Sequence, residues 1–212
     1  MRIPLAREGY PFVGAPAAAA VALWIGGFLW TGLAAAVAAA ACAVFFRDPD
    51  RRPPSDPEAI VSAADGKVLS VEKEGEGARI SVFLSILDVH VNRAPVSGRV
   101  RAVTRTPGRF LAAFDARAAR LNEQVAVTLD SDRGPVVVRQ IAGVIARRIV
   151  CRAREGDRLA TGERFGLIRF GSRTDVILPP GASPLARPGD RVRGGCTVVA
   201  RWDLPGLRGR QT

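Results

Sequence analysis

Apolar and polar residues are distributed unevenly along this chain, and the longest apolar run lies near the N-terminus. Residues 9–46 contain no charged side chain. Such a run is longer than the apolar region of a signal peptide and longer than a soluble core helix requires. It therefore predicts an apolar helical membrane segment over residues 1–46.

This apolar run is compatible with one long helix or with two short ones. A single helix over residues 17–46 would be about 45 Å long, against a hydrocarbon core of about 30 Å, and it would have to tilt or protrude. Gly26, Gly27 and Gly32 offer a break in the middle. Two halves that are too short to span separately would form a re-entrant hairpin with both ends on one side. The pattern favours the hairpin and leaves the single span open.

The apolar run is followed by a polar segment with a basic start. Residues 47–58 are rich in proline and charge, which predicts a linker. Arg47, Arg51 and Arg52 lie directly beside the apolar run, and positively charged flanks favour the cytoplasmic side of a membrane. We therefore expect localisation to the cell membrane, with the following domain on the cytoplasmic side.

From residue 59 onward, short β-branched runs alternate with Gly, Pro and Asp, which is typical of strands joined by turns. Candidate strands lie at residues 61–63, 67–71, 79–84, 98–103, 125–129, 136–141, 144–151, 165–170, 176–178 and 196–201. Residues 110–122 are the helical candidate of this part, but their apolar face is poor and a loop is the alternative.

Two Gly-Asp pairs suggest a particular β architecture. Gly156-Asp157 and Gly189-Asp190 are each followed by another glycine, at positions 162 and 195. This pattern resembles the turns of lipoyl- and biotinyl-type barrels, although ordinary turns look alike. The predicted fold class is mainly β, with a lipoyl/biotinyl-like barrel-sandwich at residues 59–212 after the apolar segment.

The chain is strongly basic and contains few residues that could bind a metal. The net charge is +11 and almost all of the basic residues are arginine, which indicates either a biased genome or attraction to anionic lipid. Aromatic residues are 6% of the chain and no basic stripe is interleaved with them, so we expect no nucleic-acid partner. Three scattered cysteines and one histidine predict neither a disulfide framework nor a metal site.

The pair Gly171-Ser172 lies between two apolar runs. An ordinary tight turn is the simplest interpretation. The alternative is self-processing, because a serine hydroxyl can attack the carbonyl of a preceding glycine if the peptide is strained. The amide would become an ester, β-elimination would split the chain, and hydrolysis would leave a pyruvoyl group, an electrophilic carbonyl suited to decarboxylation.

Residues 165–179 around this pair resemble the processing site of the short bacterial form of phosphatidylserine decarboxylase. Further segments resemble the same family in the same order. They are residues 63–66 (Ala-Ala-Asp-Gly), 87–95 (Leu-Asp-Val-His-Val-Asn-Arg-Ala-Pro), 107–111 (Pro-Gly-Arg-Phe-Leu) and 139–143 (Arg-Gln-Ile-Ala-Gly). One Gly-Ser pair is a weak signal, whereas five ordered segments are a strong one.

This resemblance implies a membrane-attached, pyruvoyl-dependent enzyme that converts phosphatidylserine to phosphatidylethanolamine and carbon dioxide. It implies cleavage between Gly171 and Ser172 into a large β chain (1–171) and a small α chain (172–212), which stay together as a heterodimer. The pyruvoyl group derived from Ser172 would be the covalent cofactor and would form the Schiff base with the substrate. The implied partners are the lipid substrate and membrane lipid, and a higher oligomer is compatible with the chain.

The resemblance also assigns roles to three polar residues upstream. Asp65 matches the aspartate of the set that drives self-cleavage. Longer family members carry His-x-x-His, whereas this chain has His90 at the first position and Arg93 at the second. His90 is therefore a candidate for the processing base, the substrate-side proton donor, or both. Arg93 stays protonated, so it could hold the phosphate or carboxylate of the substrate but could not act as a base.

The competing hypothesis is a non-enzymatic, membrane-anchored adaptor built on a lipoyl-like barrel. Such adaptors need long helical hairpins between the barrel halves, and the sequence predicts none in the β-rich part. A lipoyl or biotinyl carrier would need a lysine in the appropriate turn, and Lys67 lacks the flanking pattern.

Overall fold

The computed structural model describes residues 4–115, 117–144, 148–169 and 172–203. The chain divides into two compact units, Met1–Asp50 and Arg51–Thr212. The division falls inside residues 47–58, where the sequence predicts a linker.

The first unit is a helical hairpin. Helix α1 (Tyr10–Ile25) and helix α2 (Leu29–Phe45) are separated by Gly26 and Gly27. Gly27 has φ +81°, a left-handed conformation that glycine adopts without steric cost. The two ends meet, because the Ala6 N–H donates to the Phe46 carbonyl at 2.8 Å. This confirms two helices rather than one, with both ends on the same side of the hairpin.

None of the helices in the described ranges is both long enough and apolar enough to cross a membrane. Membrane attachment of residues 1–46 therefore stays a prediction at this point.

The second unit is built on an eight-stranded antiparallel sheet in the order β13-β2-β3-β11-β7-β6-β5-β9. Two three-stranded sheets, β1-β14-β12 and β4-β10-β8, accompany it. The strands are β1 (Ala59–Val61), β2 (Gly66–Glu74), β3 (Gly77–Leu84), β4 (Val91–Arg93), β5 (Gly98–Thr106), β6 (Gln124–Ser131), β7 (Gly134–Ile141), β8 (Ile149–Cys151), β9 (Arg158–Leu159), β10 (Arg164–Ile168), β11 (Ser172–Leu178), β12 (Ala182–Pro184), β13 (Arg191–Val192) and β14 (Val198–Trp202).

Strand β11 lies in the middle of the large sheet, with β3 on one side and β7 on the other. Side chains alternate between the two faces of a strand, so Ser172, Thr174, Val176 and Leu178 share one face. Val176 and Leu178 are buried in the main apolar core of the unit. Ser172 and Thr174 continue the same face toward one end of the sheet.

That end can be followed across six neighbouring strands. Arg173 of β11 pairs with Phe83 of β3 and with Ile141 of β7. The row continues to either side through Lys67 of β2 and through Gln124 and Thr106 of β6 and β5. Strands β2, β11 and β6 begin near this row, whereas β3, β7 and β5 end there. We call it the Ser172 end of the sheet.

The mainly β prediction is confirmed, but several predicted elements differ in extent. The predicted strand at residues 144–151 is reduced to Ile149–Cys151 in β8, and residues 145–147 lie outside the described ranges. The helical candidate at residues 110–122 forms one helical turn, α3 (Ala118–Leu121), because it lacks a continuous apolar face. The finer barrel-sandwich assignment stays a prediction, since β13 and β9 leave the large sheet open.

Candidate active site

Ser172 is the first residue of β11 and pairs with Leu84 of β3. It is fully buried, and its hydroxyl has no hydrogen-bond partner among the described residues. The sequence pattern predicts this serine between two strands, whereas the structure places it at the start of the second. Gly171, the other half of the predicted cleavage site, lies outside the described residues.

A buried polar cluster continues from Ser172 along the same face of β11. The Asn92 amide donates to the Thr174 hydroxyl at 3.0 Å, and the Gln140 amide donates to Asn92 Oδ1 at 2.8 Å. All three side chains are fully buried. A Cβ at Gly166 would lie 2.8 Å from Gln140 Nε2 and 2.5 Å from the Val150 carbonyl oxygen, so only glycine fits there. The chain thus maintains polar groups beneath Ser172 in an otherwise apolar core.

His90 lies in the connection between β3 and β4 and is fully buried. Its Nδ1 lies 2.9 Å from the Asp88 carbonyl oxygen. A carbonyl can only accept, so Nδ1 carries the proton in this bond and Nε2 is the basic nitrogen of the neutral ring. The His90 carbonyl accepts from the Ile168 N–H at 3.2 Å, which ties His90 to the strand that precedes the Gly-Ser pair.

Asp65 lies just before β2 and is held by an arginine from the linker. Arg51 makes a bidentate ion pair with it, in which Nη2 donates to Asp65 Oδ2 at 2.7 Å. The backbone N–H of Gly194 donates to Asp65 Oδ1 at 2.8 Å, and Arg51 also donates to the Gly194 carbonyl at 2.7 Å. Both side chains are largely buried, at 10% and 12% exposure. The Asp65 carboxylate is therefore fixed by Arg51 and Gly194.

The structure brings Asp65, His90 and Ser172 to the same end of the large sheet. Asp65 comes two residues before Lys67 and Ser172 one residue before Arg173, in the row that defines the Ser172 end. Strands β2 and β11 flank β3, so their backbones are separated by about two inter-strand spacings, or roughly 10 Å. Within the described residues, the hydrogen bonds of Asp65 go to Arg51 and Gly194 rather than to His90.

Arg93, the candidate substrate-binding residue, is almost fully buried on β4. Its Nη1 donates to the Gly162 carbonyl at 3.1 Å. Its Cδ lies so close to Gly195 that a Cβ there would approach to 2.8 Å. The side chain therefore packs on the turn that adjoins Gly194, and a direct contact of Arg93 with substrate stays a prediction.

Sequence reasoning missed four residues of this site: Arg51, Asn92, Gln140 and Thr174. Asn92, Gln140 and Thr174 lie inside the family-like segments, and the glutamine within the β-branched run at residues 136–141 was a signal that the sequence offered. Arg51 had no such signal, because composition placed it in a linker. Its contact with Gly194 joins positions 143 residues apart.

No metal-binding cluster of three or more His, Cys, Asp or Glu side chains occurs in the described part of the chain. Burial raises the pKa of the Cys151 thiol, so Cys151 stays protonated at neutral pH. The geometry is that of a β domain that encloses a serine in a polar cluster, with a histidine and an aspartate at the same end of the sheet.

The chain matches the family model described as phosphatidylserine decarboxylase over residues 38–200. It is 48% identical over 209 residues to the phosphatidylserine decarboxylase proenzyme of Beijerinckia indica, covering 93% of this chain and 89% of that protein. The proenzyme of Symbiobacterium thermophilum is 48% identical over 212 residues, with 95% and 97% coverage. That of Mycobacterium tuberculosis is 47% identical over 212 residues, with 93% and 89% coverage. The chain belongs to the phosphatidylserine decarboxylase family, as the sequence motifs indicate.

Proposed function

We propose that this chain converts phosphatidylserine to phosphatidylethanolamine and carbon dioxide, using a pyruvoyl group made from its own Ser172. The observation that carries the proposal is the placement of Ser172, which is fully buried at the start of a central strand within the family match. The relatives are named as proenzymes, which supports maturation of one chain into two.

Maturation begins with attack of the Ser172 hydroxyl on the Gly171 carbonyl. The peptide bond becomes an ester, and β-elimination releases the carboxyl group of Gly171 at the end of the large chain. The dehydroalanine left at position 172 hydrolyses to the pyruvoyl group and ammonia. A hydroxyl is a weak nucleophile at neutral pH, so the reaction needs a nearby base and a fixed geometry.

His90 is suited to the proton transfers of both maturation and turnover. Because Nδ1 donates to the Asp88 carbonyl, Nε2 is the atom that accepts a proton in the neutral ring. His90 can take the proton of the Ser172 hydroxyl and can later donate a proton to the substrate carbon that loses carbon dioxide. Asp65 is held by Arg51 and the Gly194 N–H at the same end of the sheet, where it would help to fix the geometry around Ser172.

The residues around position 172 fit a pyruvoyl group there. The Ser172 oxygen is a buried polar atom with no hydrogen-bond partner among the described residues, and Thr174, Asn92 and Gln140 supply polar groups on the same face. The pyruvoyl group would supply the electron sink for decarboxylation. Burial of the site keeps water away from the departing carboxylate.

Membrane attachment through residues 1–46 is part of the proposal. The hairpin has no charged side chain from residue 9 to residue 46 and exposes large apolar side chains. They include Val21, Trp24, Ile25, Phe28, Leu29, Trp30, Leu33 and Val37. Helix α1 has 16 residues and is about 24 Å long, which supports insertion as a re-entrant hairpin of the cell membrane. The basic flank supports a cytoplasmic position for the second unit.

The adaptor hypothesis has less support. The described part of the β-rich unit contains a single short helix, α3, in place of the long helical hairpin that such an adaptor would need. A lipoyl-like barrel-sandwich core remains part of the proposal, because paired Gly-Asp turns recur in the chain. Gly156 and Gly189 have φ +92° and +100°, as turn glycines would.

The experiment is a decarboxylation assay with the full chain in vesicles that contain phosphatidylserine labelled at the serine carboxyl group. The wild type should release labelled carbon dioxide and accumulate phosphatidylethanolamine. Ser172→Ala should stay uncut and release none, because it lacks the hydroxyl. Release of carbon dioxide by Ser172→Ala at the wild-type rate would refute the proposal.

A further inference from the structure

Exposed apolar side chains of the second unit are concentrated at one place. Among its described residues, seven large apolar side chains are exposed, and six of them lie in the connections between strands at the Ser172 end of the sheet. These six are Ile86, Leu87, Phe110, Phe114, Leu121 and Val144, and we call them the apolar rim. The seventh, Leu185, lies just after β12 in a small sheet.

The strand order explains this concentration. Strands β3, β7 and β5 all end at the Ser172 end, so the connections that follow them emerge on the same side of the unit. Ile86 and Leu87 follow β3, Val144 follows β7, and the remaining three members lie between β5 and β6. Ser172 begins β11 between the first two of these connections. The apolar rim therefore surrounds the end of the sheet at which Ser172 lies.

The loops that carry the rim are held in place by hydrogen bonds. Asn122 is buried and bonds both the N–H and the carbonyl of Leu111, at 2.9 and 2.8 Å, as well as the Ala142 carbonyl at 2.7 Å. Asp88 accepts from the backbone and the hydroxyl of Ser85 at 2.8 and 2.6 Å, which closes the turn below Ile86 and Leu87. Fixed loops that expose apolar side chains have a low entropic cost of binding to another surface.

The charge around the rim is asymmetric. Arg109, Arg120 and Arg148 are exposed in the rim loops at the Ser172 end. At the opposite end of the same sheet, the turns between β2 and β3 and between β6 and β7 expose acidic as well as basic side chains, namely Glu76, Asp132 and Arg133. Apolar side chains flanked by arginine are complementary to the surface of a bilayer that contains anionic lipid.

We propose that the apolar rim is a membrane-docking surface of the second unit, which inserts into an anionic bilayer and brings Ser172 to the lipid headgroups. The proposal rests on the proposed function in one respect, namely that the substrate is a bilayer lipid. A second copy of the chain is the other conceivable occupant. The bilayer is favoured because the arginines complement lipid phosphates, whereas two copies would bring like charges together.

The first test measures insertion without relying on catalysis. A fluorophore is attached at Leu87→Cys, and in a matched protein at Leu185→Cys, in the full chain with its three native cysteines replaced. Each protein is reconstituted in vesicles of phosphatidylglycerol and phosphatidylcholine with or without nitroxide-labelled lipid. We expect strong quenching by the nitroxide at position 87 and little at position 185. Equal quenching at the two positions, or failure to bind vesicles, would overturn the proposal.

The second test compares two forms of the substrate, phosphatidylserine in vesicles and a short-chain analogue below its micelle concentration. Leu87→Ser combined with Phe114→Ser should lower activity on vesicles by about tenfold more than activity on the soluble analogue, because it removes two inserting side chains. Leu185→Ser, which alters a side chain of similar exposure, should change neither activity.

The outcomes separate this proposal from the proposed function. If the wild type decarboxylates neither substrate but position 87 is quenched selectively, the docking surface stands and the proposed function fails. If the wild type is active on both and the double variant loses both activities equally, the rim is not a docking surface. Position-87 fluorescence that shifts with protein concentration in the absence of vesicles would indicate a second copy as the occupant.

Discussion

At the scale of single residues, the ion pair between Arg51 and Asp65 is the contact on which processing should depend most visibly. A largely buried carboxylate needs both a charge partner and hydrogen bonds, and Asp65 receives them from Arg51 and the Gly194 N–H. The pair joins the start of the second unit to a turn near its end. A change in either partner should therefore affect the geometry around Ser172 without removing a group that reacts.

Asp65→Ala should accumulate uncut precursor, and Arg51→Ala should slow cleavage in the same direction, because Asp65 then loses its fixed orientation. Breaking a buried pair by removing one partner also costs about 3–5 kcal/mol of folding free energy. Cleavage can be followed by gel electrophoresis after expression, with denaturant titration as the stability measurement.

Arg52→Ala is the matched control, because Arg52 is the exposed neighbour of Arg51. Arg51→Lys should restore part of the cleavage rate by returning the charge, whereas a purely structural defect would follow stability alone. Cleavage of Asp65→Ala at the normal rate would show that Asp65 has no role in processing and only stabilises the turn before β2.

At the same scale, loss of the His90 imidazole should slow decarboxylation. Both proposed proton transfers need a group that titrates near neutral pH, and Arg93 stays protonated. Any cleaved fraction of His90→Ala should decarboxylate about 10²–10⁴-fold more slowly, the usual contribution of a general acid or base. Turnover is measured per pyruvoyl group, after mass spectrometry has confirmed that group. Near-normal turnover would mean that another residue or water supplies the proton.

At the scale of secondary-structure elements, β11 explains how the protein could be cut and remain intact. The proposed new chain end at Ser172 belongs to a strand that is paired with β3 on one side and β7 on the other. Directly after it, Arg173 donates to Asp175 at 2.7 Å and to the Ser81 hydroxyl at 2.7 Å, and all three side chains are buried. The proposed α chain would also supply β13 and β14, which pair with β2 and β1 of the proposed β chain.

The two chains should therefore stay together after cleavage and separate only when the sheet unfolds. Asp175→Ala should lower the urea concentration at which they separate, because it leaves the buried Arg173 guanidinium without its carboxylate partner. Size-exclusion chromatography across a urea series measures this, with the exposed Glu76→Ala as control. Separation of wild-type chains in dilute buffer would contradict the strand pairing.

Sequence patterns predicted some of these secondary-structure elements and missed others. Alternating β-branched runs predicted the long strands that bury one face, such as β6 and β7. Strand β11 is buried on both faces, and the sequence predicted only its last part, residues 176–178. The short strands β4, β9, β12 and β13 were missed, because two or three residues carry no periodicity. The candidate site shows the same limit. Motifs single out Asp65, His90 and Ser172 in the sequence. The pairing of Asp65 with Arg51 depends on how the linker folds back, which no local pattern records.

At the scale of the whole molecule, the apolar hairpin and the β-rich unit have separate tasks in the proposed function. In the proposed function residues 1–46 attach the chain to the membrane, whereas every candidate reacting group lies after residue 58. Removing residues 1–46 should therefore leave cleavage intact and weaken binding to anionic vesicles, as measured by co-sedimentation and gel electrophoresis. A folded but uncut truncation would show that the hairpin takes part in processing.

The charge of the whole chain bears on the same question. A net charge of +11 favours anionic surfaces, and this attraction weakens as salt screens it. Apolar insertion does not weaken in this way. Binding that survives high salt in the full chain would therefore indicate that the hairpin and the apolar rim contribute more than charge alone.

The proposed function depends on conversion of Ser172 into a pyruvoyl group, which the intact mass of the purified full chain reveals. We expect two polypeptides, one ending at Gly171 and one covering residues 172–212. The smaller should be lighter than a serine-initiated chain by one ammonia and should gain two hydrogens with borohydride. A single polypeptide of full mass, with an ordinary serine at position 172, would refute the proposed function.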